Sequence, residues 1–211
     1  VKNKFYTLMW KLLRPFVLLL HPLDVQGREN LPDEPVLICA NHSSGWDPVL
    51  LVCALASDFP LRIMAKEQLF KIPIIGGFIR RMGAFPVDRG NSDIGAVKTS
   101  IKSLKDGFSL LIFPEGTRSR SSEMGEFKHG SFKLATKAKV PIVPVTLNGG
   151  YHTFEDHGAV TRGQHIDVLV HPPIETKDMS RQELAELPAQ VEAIIRAGLA
   201  ELVQQSGQEE K

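Results

Sequence analysis

Cysteine is scarce in this chain: there are two, Cys39 and Cys53, in separate apolar stretches. That excludes a disulfide framework, offers no metal-ligand spacing and suits a reducing compartment. Each thiol reads as buried and inert rather than nucleophilic. Net charge is nearly absent too, at +1 over 211 residues. No global field therefore draws the protein to nucleic acid, and an anion site has to be a local cluster of cations. No run reaches the ~20 uninterrupted apolar residues of a membrane span. Internal repeats and low-complexity tracts are also lacking. What remains is 43% hydrophobic and 23% charged, the make-up of a globular domain long enough to bury a substantial core.

Residues 1–22 come nearest to a membrane segment. Phe5, Leu8, Met9, Trp10, Leu12, Leu13 and residues 16–20 are apolar, interrupted by Lys11, Arg14 and Pro15. This is too charged to span and has no small-residue cleavage signature after it, which argues against a signal peptide. Aromatics and leucines flanked by Lys2, Lys4, Lys11 and Arg14 suit a helical segment lying in the bilayer interface. Pro15 is expected to divide it into two short pieces.

Beyond it, short apolar runs alternate with helical patterns. Strands are expected at 23–28, 36–40, 61–65, 84–87, 108–113, 142–147 and 166–170. Helices are expected at 48–56, 72–82, 94–104, 128–139 and 184–203, with Pro188 starting or kinking the last. The two prolines of 140–145 must avoid ladder bonding at those points. The order predicts an α/β fold with a mixed, largely parallel sheet flanked by helices. Residues 1–22 form the interface segment, 23–205 the α/β domain and 206–211 a polar tail.

The chemistry collects after predicted strands. His42 and Asp47 stand five positions apart, about 140° off-face on an unbroken helix. They can meet only if the chain turns, and Ser43-Ser44-Gly45 is a turn-forming run. Asp47 before Pro48 reads as an N-cap followed by a first helical residue. A His oriented by an Asp has the arrangement of a general base. Farther on, residues 83–89 bring Arg89, and residues 113–119 deliver Glu115, Gly116, Thr117 and Arg118 from a buried strand. Gly116 permits unusual backbone geometry, and Thr117 with Arg118 offers donors to an oxyanion. His129, His152 and His157 are scattered without ligand spacing, so no metal site is expected.

Taken in order, Asn41-His42 with Asp47, residues 83–89, residues 113–119 and residues 140–145 resemble the four sequence blocks of the PlsC-type glycerolipid acyltransferases. Asn41, His42 and Asp47 match the first block, N-H-x-x-x-x-D, and Phe113-Pro114-Glu115-Gly116-Thr117-Arg118-Ser119 matches the third without a gap. The second block, G-x-x-F-x-x-R, is matched by Gly83, Phe85 and Arg89 with one residue fewer before Phe and one more before Arg. The resemblance covers residues 25–173.

It implies acyl transfer from acyl-CoA or acyl carrier protein to lysophosphatidic acid, giving phosphatidic acid in phospholipid biosynthesis, without a cofactor. His42 would be the base and Asp47 its partner. Arg89, Glu115, Gly116, Thr117 and Arg118 would hold the acceptor, Glu115 either binding its hydroxyl or bracing Arg118. Lys128 is either a further phosphate ligand or a plain helix-start lysine. A groove near residues 70–79 would take the acyl chain, and the enzyme would sit at the cytoplasmic face of a membrane. The alternatives are the same chemistry on glycerol 3-phosphate, another lysophospholipid or a lyso-aminolipid, or a catalytically silent lipid-binding protein.

Overall fold

A computed structural model describes residues 4–55, 61–87, 94–119, 123–155 and 158–207. Its strands are β1 (Leu23–Gln26), β2 (Leu37–Ala40), β3 (Leu61–Lys66), β4 (Ala84–Val87), β5 (Ser109–Ile112), β6 (Ile142–Asn148) and β7 (Ile166–Val170). They form one sheet in the order β1-β7-β6-β2-β5-β3-β4. Among the described residues these strands pair in parallel except β6 with β7. This is the mixed, largely parallel sheet expected from the alternation of elements.

The central strands read as unbroken apolar runs because both sheet faces are covered. Along β2 the side chains alternate between faces. Ile38 and Ala40 join Leu50, Leu51 and Val143 in one core, while Leu37 and Cys39 join Leu104, Leu134, Val191 and Ile195 in the other. Helices α1 (Lys4–Leu20) and α2 (Asp47–Leu55) supply the first core. Helices α5 (Ile94–Lys105), α6 (Lys133–Ala138) and α7 (Arg181–Ser206) close the second. Short α3 (Glu67–Phe70) and α4 (Ile75–Arg81) link β3 to β4.

Several expectations need correcting. Helix α1 runs unbroken through Pro15, although an interior proline costs about 3 kcal/mol. Packing on both sides of the proline compensates. Tyr6 and Val17 are buried, and Trp10 Nε1 and Arg14 Nε donate to the carbonyls of Val52 (3.0 Å) and Cys53 (3.2 Å). The expected strand at 23–28 ends at Gln26, because Gly27 turns with a positive φ of 70°. The expected helix at 72–82 begins only at Ile75, after Ile74 at φ 68°. The helix expected at 128–139 opens as a 3-10 turn (His129–Phe132) before α6, with Lys128 as its extended N-cap residue. Helix α7 begins earlier than expected, at Arg181, on a capping box between Ser180 and Glu183. It carries Pro188 inside it and continues through Ser206.

Pro144 lies within β6, and its carbonyl accepts from His171 N–H (3.0 Å). It stands one residue before the β6–β7 pairing opens at Val145 and Val170, a place where a missing N–H is tolerated.

Candidate active site

The site forms where the carboxyl ends of the parallel strands β2 and β5 release the chain, the usual location in open α/β sheets. Asn41, the first residue after β2, extends the strand with its side chain. Its Nδ2 donates to Leu147 O and its Oδ1 accepts from Leu147 N–H, both at 2.8 Å. The chain then turns through Gly45 and Trp46, closed by Asp47 N–H on Ser44 O (3.2 Å). The turn brings His42 Nδ1 to 2.9 Å from Asp47 Oδ2.

Asp47 is not the N-cap expected of it. It is the first residue of α2, and Trp46 O accepts from Val49 N–H (2.9 Å) and Leu50 N–H (3.0 Å). The carboxylate instead turns back into the loop, where Oδ2 also accepts the Ser43 and Ser44 N–H groups at 2.7 Å. Asp47 is fully buried and His42 nearly so. Burial pushes the Asp47 carboxyl above its ordinary range, while the His42 ring and the two amides pull it back. A carboxylate can only accept, so Nδ1 carries the imidazole proton and Nε2 is left with its lone pair. The ring is further held by stacking on Phe113, centroids 4.0 Å apart at 19°.

The turn after β5 locks onto this loop through backbone. Ser119 N–H donates to His42 O (2.9 Å). Gly116 has φ +75°, and a Cβ there would lie 2.7 Å from Lys128 Nζ. The Lys128 ammonium is therefore folded across the Glu115–Arg118 turn. Thr117 and Arg118 line a cavity of about 490 Å³ together with His42 and Gly45. Its inner walls are apolar: Trp10 and Leu13 of α1, Val49 and Val52 of α2, Ile63 of β3, and Phe78 of α4. The expected groove at 70–79 overlaps this cavity only at Phe78 and Ile79, because α1, α2 and β3 form most of the wall.

Glu115 faces neither the cavity nor Arg118. It is 5% exposed, Oε1 accepts from His42 N–H at 3.2 Å, and Oε2 is buried without a partner among the described residues. Burial pushes its carboxyl up to about 8, opposed by the His42 amide and raised further by Asp47. It is thus mostly a neutral acid at pH 7. The folded pKa lies above the unfolded one, so this group favours folding below about pH 4.5 and loses that contribution as pH rises through 8. Glu115→Gln is expected to gain stability over wild type by up to about 1.4 kcal/mol per pH unit across that window. Urea melts at pH 5 and pH 8 check this; an unchanged gap would contradict the neutral acid.

Arg89 lies outside the described residues. Among the described residues no cluster of three or more His, Cys, Asp or Glu could hold a metal. Both cysteines are buried, and burial raises the Cys53 thiol to about 11 and also raises Cys39. Two contributors were not expected from sequence. Gly150 packs against the Asp47 carboxylate, where a Cβ would lie 2.4 Å from Oδ1. Glu155 contacts both Gly45 N–H (2.9 Å) and the Arg118 guanidinium. The Gly149-Gly150 pair after β6 is the one local signal for this segment.

A largely parallel α/β sheet carries a buried His–carboxylate pair at the mouth of an apolar cavity. The chain belongs to the PlsC-type acyltransferase family, and the family model described as Acyltransferase matches residues 22–148. It is similar to the 1-acyl-sn-glycerol-3-phosphate acyltransferase of Pseudomonas aeruginosa, 30% identical over 184 residues, covering 85% of this chain and 69% of that one. It is likewise similar to the chloroplastic enzyme of that name from Brassica napus, 34% identical, covering 82% of this chain and 51% of its relative. The chain thus spans about half the length of the first plant relatives it matches. The crystal structure of the 1-acyl-sn-glycerophosphate (LPA) acyltransferase PlsC from Thermotoga maritima superposes with a TM-score of 0.81 at 31% identity. That match covers 99% of this chain and 81% of the other.

Proposed function

We propose that this protein transfers an acyl chain from acyl-CoA or acyl carrier protein to the free hydroxyl of lysophosphatidate, giving phosphatidate. The observation that carries this reading is the buried His42–Asp47 pair opening onto the apolar cavity. A glycerol hydroxyl is a poor nucleophile at neutral pH and needs a base on its proton. His42 Nε2 takes that proton as the hydroxyl oxygen attacks the thioester carbonyl. The tetrahedral intermediate collapses, the C–S bond breaks, and the imidazolium returns its proton to the leaving thiolate. Asp47 holds the ring and stabilises the imidazolium. No acyl-enzyme is needed: Ser44 Oγ is buried against Thr153 Oγ1 (3.1 Å).

Arg118, with Lys128, holds the acceptor phosphate beside the Gly116–Thr117 turn, a placement effect that can be large; Arg89 is read as a further phosphate ligand from its place in the second sequence block alone. Glu115 serves the site from beneath, through the backbone of His42, rather than by touching the acceptor. The acyl chain lies in the cavity. Both acceptor and product are lipids, and the outer face of α1 suits a bilayer surface. Leu8, Leu12, Phe16 and Leu19 are 54–77% exposed along it, and Ile72, Ile74 and Ile75 are exposed before and at the start of α4. Among the described residues no helix is long and apolar enough to cross a membrane; the exposed apolar face is what suits α1 to lie in the interface.

Thiol release from an acyl thioester in lipid vesicles tests this, with lysophosphatidate, glycerol 3-phosphate or no acceptor. Release that requires lysophosphatidate is expected. Release with glycerol 3-phosphate alone would assign another acceptor, and no release under any condition would favour a silent lipid-binding protein. In the same assay Arg118→Ala is expected to raise the acceptor KM about tenfold or more, leaving the donor KM nearly unchanged. Equal losses toward both substrates would contradict a phosphate-holding Arg118.

A further inference from the structure

Glu155 belongs to none of the blocks that carry the chemistry, yet its carboxylate reaches two of them. A single oxygen, Oε1, accepts from Gly45 N–H at 2.9 Å and from Arg118 Nη1. Gly45 lies in the loop between His42 and Asp47, and Arg118 closes the turn after β5. A Cβ on Gly45 would lie 3.3 Å from Arg118 Nη1 and 3.6 Å from Glu155 Oε1, so the three groups are packed against one another. The segment bearing Glu155 is anchored to the same loop, by Ser44 Oγ with Thr153 Oγ1 and by Gly150 against Asp47.

We propose that Glu155 is a positioning residue for acyl transfer, holding Arg118 at a fixed separation from the His42 base so that one acceptor can reach both. The inference rests on the acyl-transfer reading given above. The chemistry of arginine supports it. A guanidinium has five N–H donors in a rigid fork, and the contact with Glu155 uses Nη1. The remaining edge stays available for paired bonds to phosphate. Arg118 is 44% exposed, whereas Glu155 is 22% exposed. The carboxylate is therefore the fixed partner and the guanidinium the one that is aimed. Without the carboxylate, a long side chain at the cavity mouth would explore many rotamers, and the acceptor would have to order it on binding. The Lys128 ammonium beside Gly116 offsets the repulsion between Glu155 and a bound phosphate.

The test is a double-mutant cycle on acyl transfer to lysophosphatidate in vesicles, using wild type, Glu155→Ala, Arg118→Ala and the pair. Binding of a short-chain lysophosphatidate without donor is measured in parallel by thermal shift. Glu155→Ala is expected to raise the acceptor KM and Kd about tenfold, leave the donor KM within twofold, and add less than twofold on the Arg118→Ala background. Glu155→Gln, which keeps an oxygen for Gly45 N–H without the charge, is expected to fall between wild type and alanine. It also guards against a misfolded alanine variant. An acceptor KM unchanged or lowered by Glu155→Ala would overturn the proposal, as would equal penalties on both backgrounds; a lowered KM would make Glu155 a competitor of the phosphate. Wild type that binds lysophosphatidate but transfers nothing would overturn the acyl-transfer reading instead, while the binding arm still judged Glu155.

Discussion

Asp47→Asn is expected to lower turnover about 10³-fold while the protein stays folded. The size follows from charge. A unit pair about 4 Å apart at an effective dielectric of 20 is worth roughly 4 kcal/mol, and each 1.36 kcal/mol is a factor of ten in rate. The geometry says why folding survives. Oδ2 receives two backbone N–H groups besides the ring, so the asparagine carbonyl must take that place to satisfy them. The His42 tautomer is then preserved, and what disappears is the negative charge facing the imidazolium. Asp47→Ala is a different experiment, since it strands the Ser43 and Ser44 amides and loosens the loop. Steady-state turnover beside a melting curve separates the two. Turnover of Asp47→Asn within tenfold of wild type would break the His–Asp pairing as a catalytic unit.

Gly150→Val is expected to be nearly as damaging through contact alone. The backbone there is helical, at φ −58°, so a side chain brings no dihedral strain. Its Cβ, however, would stand 2.4 Å from Asp47 Oδ1 and 3.0 Å from Ser43 Oγ, and neither neighbour has room to retreat in a buried loop. A stability loss of about 1–3 kcal/mol is expected, with turnover falling roughly 10²-fold as the base is displaced by a fraction of an ångström to an ångström. Denaturant melts and turnover on the same preparation check both. A variant with wild-type values in each would mean that the 149–155 segment does not press on the site.

How far the sequence reveals this site depends on where each signal is stored. The sheet and the burial of its central strands are legible because β2, β5 and β6 are short apolar runs bounded by turns. The meeting of His42 and Asp47 is legible because Ser43-Ser44-Gly45 between them can only be a turn. Pro15 misleads, since its local penalty is visible while the Trp10 and Arg14 bonds that offset it join residues about forty positions apart. Asp47 misleads more gently: its sequence position is that of a cap, but its carboxylate meets the His42 ring and two amides of the loop behind it. The direction of Glu115 is illegible for another reason. The same carboxylate in the same turn could face the cavity or the core, and only the closeness of His42 N–H and the burial of the turn decide. Glu155 carries no local mark at all; it matters because β6 and the following Gly149-Gly150 return the chain over the loop of His42.

The most direct measurement is phosphatidate formed from lysophosphatidate and an acyl thioester in vesicles by wild type and His42→Ala, both shown folded by circular dichroism. Product from the wild type and a loss of at least about 10³-fold in the variant is the predicted result, because the hydroxyl then has no base. Product formed at comparable rates by both would contradict the assignment of His42.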